Sequence, residues 1–189
     1  MSNPPTKIKR PAGERKYLTS EEVERLLKSV RKIGRNTHRD YCLVLMMYRH
    51  GLRVSEAIAL EWRDIDWQTA TIYIKRLKNG KPANHPIKGD ELRVLRQLQR
   101  NCSNSIWLFN SERQAPLSDR TVRDIVARAG ESAGLGAIHP HQLRHSCGYW
   151  LASQGLDTRL IQDYLGHQNI NHTVRYTELA PGRFDGIDW

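Results

Sequence analysis

At 189 residues the chain can bury one substantial core and is short for two. Hydrophobic residues make up 39% and charged residues 26%, as in a soluble globular protein, and the formal charge of +10 favours a polyanion as partner. No apolar run approaches the ~18 residues of a membrane span, and the three cysteines, Cys42, Cys102 and Cys147, form no CxxC pair, so they predict reduced thiols in a cytoplasmic protein and exclude a disulfide frame.

Residues 1–16 hold Lys7, Lys9, Arg10, Arg15 and Lys16 against one acid, Glu14, with three prolines. Such a segment cannot bury enough surface to fold alone and reads as a flexible basic arm, either for phosphate contact or as a plain tail. Thr19 followed by Glu22 makes a capping box, and Val23, Leu26, Leu27 and Val30 then repeat at helical spacing, predicting a helix over about 20–33. Residues 41–48 are apolar on every side, the mark of a central buried helix, and Gly51 is placed to end it. Arg53 follows, at the turn into a helix carrying Val54, Ala57, Ile58 and Leu60. From this stretch alone it is either an ordinary surface arginine or a rigid clamp for developing charge.

The β-branched and aromatic run 71–74 precedes Asn79-Gly80, a strong hairpin signal, and the return run contains Pro82 and Pro86, which confine it to a sheet edge. Lys75, Arg76, Lys78, Lys81 and Lys88 put a basic hairpin on the surface, suited to DNA phosphates or simply blunting the edge. Helices follow over about 90–100 and 119–132, the second capped by Ser118. Between them 106–109 is a short apolar run, a third strand or a core plug extended beneath the helices, the latter preferred. Tyr73 and Tyr164 are expected in the core. The architecture is therefore mainly α with a small antiparallel β-sheet (α+β), in one domain.

Pro140 suits a helix start, so His141 stands in the first turn and Arg144 one turn on, on the same face. A guanidinium fork fits two phosphate oxygens, and an imidazole can bind a third or pass a proton. His141 and His145 share the i,i+4 spacing of half a zinc motif, but Gln142 replaces the glutamate of that motif and Arg144 would repel a cation, so no metal is expected and His145 is read as a residue that packs or hydrogen-bonds locally. A helix capped by Asp157 ends at Gly166, leaving His167 free, and Tyr176 follows on a short segment. A tyrosine hydroxyl can attack phosphorus covalently and conserve the energy of the cut strand.

The runs HPHQLRHSCG, DTRLIQDYLGH and NHTVRYTEL resemble the catalytic region of the tyrosine recombinases, the phage-integrase family, and are similar in particular to its fimbrial phase-switch invertases. The resemblance spans about 15–189. It implies that residues 17–189 form the recombinase catalytic domain, without the core-binding domain that larger members place before it. GLRVSE matches the first catalytic arginine, Arg53, with Glu56 as an acid that orients its neighbours. The resemblance further implies His141, Arg144 and His167 as catalytic, Tyr176 as nucleophile, and Lys78 as the acid that protonates the leaving 5′ oxygen, with Lys81 as second choice. It also implies double-stranded DNA with inverted repeats as partner, a homotetramer on that DNA, DNA-bending accessory proteins, and no cofactor or metal. The expected activity is inversion of a promoter segment. The alternatives are a phage or mobile-element integrase, a topoisomerase of similar chemistry, and a non-catalytic DNA-binding regulator.

Overall fold

The structure is a computed structural model and describes residues 16–76, 80–101 and 105–178. The basic arm up to Arg15, the hairpin turn with Lys78 and Asn79, and Cys102 lie outside the described residues. The apolar run at 41–48 sits inside helix α2 (Thr37–Arg49), which is in contact with α1 (Ser20–Val30), α4 (Gly89–Asn101) and α6 (Pro140–Ser153). Cys42, Leu43, Val44, Met46 and Met47 are all buried there. A helix apolar all round must be wrapped in this way. Its first turn carries no signal in the sequence because it is polar, Arg39 pairing with Asp40 and donating to the Asn110 carbonyl.

Helix α1 begins where the capping box places it, with Thr19 and Glu22 each bonding the other's backbone amide. It ends at Val30, short of Ile33, since Arg31 already caps it and Gly34 turns the chain at φ +86°. Beyond α2, Gly51 adopts φ +57°, where a side chain would be strained and its Cβ would fall 2.4 Å from Leu165. That reversal delivers Arg53 to the N-cap of α3 (Val54–Ile58).

The sheet has antiparallel strands in the order β1 (Ile65–Asp66), β2 (Thr71–Ile74), β3 (Ala83–Pro86), with Ile72 opposite His85. The proline-bearing strand is an edge, as expected. β1 is too short to show alternation in the sequence. The run 106–109 makes only a bridge between Trp107 and Glu61, while Leu108 and Phe109 plug the core. Tyr73 corrects an expectation: it lies 40% exposed, because Ile72 and Ile74 take the inward phase of β2.

Helix α5 (Asp119–Ser132), capped by Ser118, packs on α1, α3 and α6. The chain then enters α6 at Pro140, and α7 (Thr158–Leu165) and α8 (Asn171–Glu178) fold back onto it. These last helices enclose a smaller hydrophobic cluster of Cys147, Leu151, Ala152, Ile161, Leu165 and Tyr176. Among the described residues no helix is long and apolar enough to cross a membrane.

Candidate active site

Glu56 is the electrostatic centre of the site. Its carboxylate, 3% exposed, accepts from the Arg53 amide at 2.9 Å and the Arg53 guanidinium at 2.6 Å. It also meets Arg76 at 2.8 Å and Arg144 at 3.8 Å. Burial pushes the Glu56 carboxyl up, but Arg76, the Arg53 amide and guanidinium, and Arg144 together outweigh it and hold the group below its ordinary value. One carboxylate thus neutralises part of three guanidinium charges, and the excess is positive.

Arg144 is almost fully buried on α6, donating to the Gly51 carbonyl and, at 2.7 Å, to that of Leu165. Both acceptors sit at chain reversals, so the turn after α2 and the end of α7 fix this guanidinium from two sides. Burial, then the Arg53 and Arg76 cations, lower its pKa to about 10, which leaves it charged at neutral pH.

Arg76 departs from its expected role as an exposed DNA contact. It is buried, with its guanidinium on Glu56 and on the carbonyls of His50 and Tyr164. The reason is strand periodicity: Arg76 continues the inward phase of Ile72 and Ile74 beyond the end of β2. Lys75 takes the outward phase, with a side chain 54% exposed that pairs with Asp64 at 3.1 Å. Lys81 and Lys88 are exposed. Lys78 lies outside the described residues.

His141 stands exposed in the first turn of α6 beside Arg53, and burial of part of its ring, then Arg144, Arg53 and Arg175, lower its pKa. A cleft of about 300 Å³ opens here, lined by Arg53, Ser55, Arg123, His139 and His141. His167 follows the left-handed Gly166 cap, its Nδ1 2.9 Å from the Thr173 hydroxyl. Burial, then Arg144 and Arg53, push it down to about 3, so it is neutral near pH 7.

Tyr176 on α8 is 1% exposed, and its ring is stacked at 6.3 Å from that of His167. Its hydroxyl lies 2.9 Å from Nδ1 of His145. Burial raises the phenol to about 12, against the lowering effect of Arg144 and Arg175. Arg53, His141, Arg144, His167 and Tyr176, scattered over more than half the chain, are thus gathered on the turns and helix ends around α6. The contact of His145 with Tyr176 is what sequence reasoning misses, since once the metal motif is set aside the residue reads only as one that packs or hydrogen-bonds locally. The His141 and His145 rings meet edge to face at 4.5 Å. The half-buried Arg53, the buried Arg144, the imidazoles and a phenol make a site that can hold a phosphodiester and attack it.

Comparison with known proteins gives a consistent neighbourhood. The profile of the phage integrase family matches residues 16–183. The chain is 44% identical over 184 residues to the type 1 fimbriae regulatory protein FimE of Escherichia coli K12, covering 93% of this chain and 91% of that one. It is 46% identical over 180 residues to FimB of the same strain, covering 92% and 90%. Among solved structures, the XerH site-specific recombinase bound to its difH substrate before cleavage superposes with a TM-score of 0.76 at 26% identity. That match covers 86% of this chain and 50% of XerH, so the chain spans about half of that recombinase.

Proposed function

Since the chain belongs to the phage integrase family, the tyrosine recombinases, we propose that it cuts and rejoins double-stranded DNA at specific sites through Tyr176. The Tyr176 oxygen gives its proton to a neighbouring imidazole and bonds to phosphorus, the bond from phosphorus to the 5′ oxygen breaks, and a 3′-phosphotyrosyl link and a 5′ hydroxyl result. Arg53 and Arg144 take the non-bridging oxygens, and His141 and His167 add hydrogen bonds to them. Each preorganised donor of this kind contributes roughly 3 to 4 kcal/mol in the transition state. Lys78, or failing it Lys81, gives the leaving 5′ oxygen its proton. Attack of a 5′ hydroxyl from a partner strand reverses the step and conserves the bond energy.

The observation that carries this reading is the meeting of the buried Tyr176 phenol with the rings of His145 and His167, within the field of the Arg144 cation. The similarity to FimE and FimB supports inversion of a promoter segment between inverted repeats, controlling fimbrial phase variation, as the reaction. A homotetramer on paired sites, with DNA-bending accessory proteins, is the assembly such an inversion requires. Lys75, Lys81 and Lys88 on the hairpin, with the basic arm, supply phosphate contacts in this reading, and Glu56 orients the arginines.

The test is a denaturing gel after incubation with nicked DNA carrying the inverted repeats that flank the chain's own gene. The nick lets the short leaving fragment escape and traps the intermediate. A retarded band with wild type that is absent with Tyr176→Phe, its adduct mapped to Tyr176, is the expected result. Firm, site-specific binding without any adduct points instead to a DNA-binding regulator.

A further inference from the structure

We propose that His145 is the catalytic base of this site, holding the Tyr176 hydroxyl at Nδ1 and receiving its proton as the oxygen attacks phosphorus. The inference rests on the strand-transfer reading above and adds a residue to it. Two geometric facts lead to it, and a third, electrostatic, agrees.

The first is contact. Of the three imidazoles gathered here, His145 alone has a ring nitrogen hydrogen-bonded to the phenol among the described residues, at 2.9 Å. His167 spends its Nδ1 on Thr173 and lies against the tyrosine ring instead of its hydroxyl. His141 meets the edge of His145 and faces the open cleft.

The second is that the position of Tyr176 is built. A Cβ at Gly148, one turn along α6 from His145, would fall 2.6 to 2.8 Å from the tyrosine ring, so the ring lies directly on the backbone of α6. Tyr149 closes one side edge-on at 5.1 Å. Glycine is a poor residue for a helix interior, and here its lack of a side chain is what lets the hydroxyl reach His145. The third fact is the state of the base. Burial, then His141, Arg175 and Arg144, push His145 down to about 4, so near pH 7 it is neutral and has a lone pair to offer.

The step balances with His145 protonated on Nε2. The Tyr176 oxygen forms its bond to phosphorus, its proton passes to Nδ1, the bond to the 5′ oxygen breaks, and that oxygen takes a proton from the lysine acid. His145 is then an imidazolium beside the phosphotyrosyl link. On rejoining, the incoming 5′ hydroxyl returns its proton to the lysine, the tyrosine oxygen leaves, and His145 gives back the proton it stored. No external acid or base is consumed, as a reversible exchange requires.

The experiment measures the rate of adduct formation on nicked DNA for wild type, His145→Asn and His145→Ala, with DNA binding and thermal unfolding followed for each. Asparagine places an amide oxygen near the position of Nδ1, which accepts the hydrogen bond and cannot keep the proton. The proposal expects His145→Asn to be at least about 100-fold slower with binding intact. The defect persists on DNA with a 5′-bridging sulfur, whose departure needs no acid, and added imidazole accelerates His145→Ala. Adduct formation by His145→Asn at the wild-type rate overturns the proposal and leaves the strand-transfer reading standing. Slowing that imidazole fails to relieve assigns His145 a packing role and likewise overturns it. Absence of the adduct in wild type removes the reading and the proposal together.

Discussion

A single carboxylate, that of Glu56, holds the two arginines assigned to phosphate and the buried Arg76 in one cluster. Removing one partner of a buried ion pair leaves the other charge desolvated and unpaired, which costs more than the pair itself contributes. Glu56→Gln keeps the shape and deletes the charge, so it is expected to lower unfolding stability by roughly 3 to 5 kcal/mol in urea titration. The histidines supply a pH dependence. Burial, then His50 and Arg76, push His85 from 6.5 to about 2, and His145 and His167 are depressed for similar reasons. Between the folded and unfolded values the unfolded chain binds more protons, so stability rises with pH across that window and is lost on acidification. The melting temperature should therefore fall from pH 7 to pH 5, with a slope of up to about 1.4 kcal/mol per pH unit for each proton, and the slope should be shallower in His85→Leu. The residues of the candidate site are legible from the motif runs, their roles less so. Charge alone groups Arg76 with the surface lysines, although its phase along β2 already points it inward. His145 escapes notice because spacing can show that two imidazoles share a helix face, but not that a tyrosine from another helix brings its hydroxyl to one of them.

Elements are legible where local chemistry marks their ends. The capping box of α1, Ser118 ahead of α5, Pro140 opening α6 and Gly166 closing α7 all stand where the sequence places them. Two elements are not. The strand β1 has two residues and owes its existence to pairing with β2, a tertiary effect. The first turn of α2 is polar and carries no hydrophobic period. Gly148 illustrates the same gap: in the sequence it is merely an unfavourable residue in a helix, and only the packing of α8 explains it. Gly148→Ala should improve helix propensity by about 1 kcal/mol and still yield a less stable protein, because the added methyl displaces Tyr176 and with it α8. Limited proteolysis should then show cleavage within or just before α8 at enzyme levels that spare the wild type.

At the scale of the molecule the excess charge is +10, and the hairpin shows how it is divided between inside and outside. Lys75, Lys81 and Lys88 face solvent, while Arg76, next to Lys75, is enclosed. Replacing each exposed lysine by alanine should weaken binding to specific and unrelated DNA alike and lower the salt slope by about 0.9 for every phosphate that is no longer neutralised. Arg76→Met should leave the salt slope unchanged and lower thermal stability, and filter binding over a salt series separates the two behaviours. The second hydrophobic cluster carries a different implication. Because the ring of Tyr176 is part of the packing between α6, α7 and α8, loosening α8 and taking the phenol away from His145 are one equilibrium. Amide hydrogen exchange along α8 would then count how often the free protein withdraws its nucleophile from the base, and reactivity would fall as local unfolding rises, independently of the strength of DNA binding.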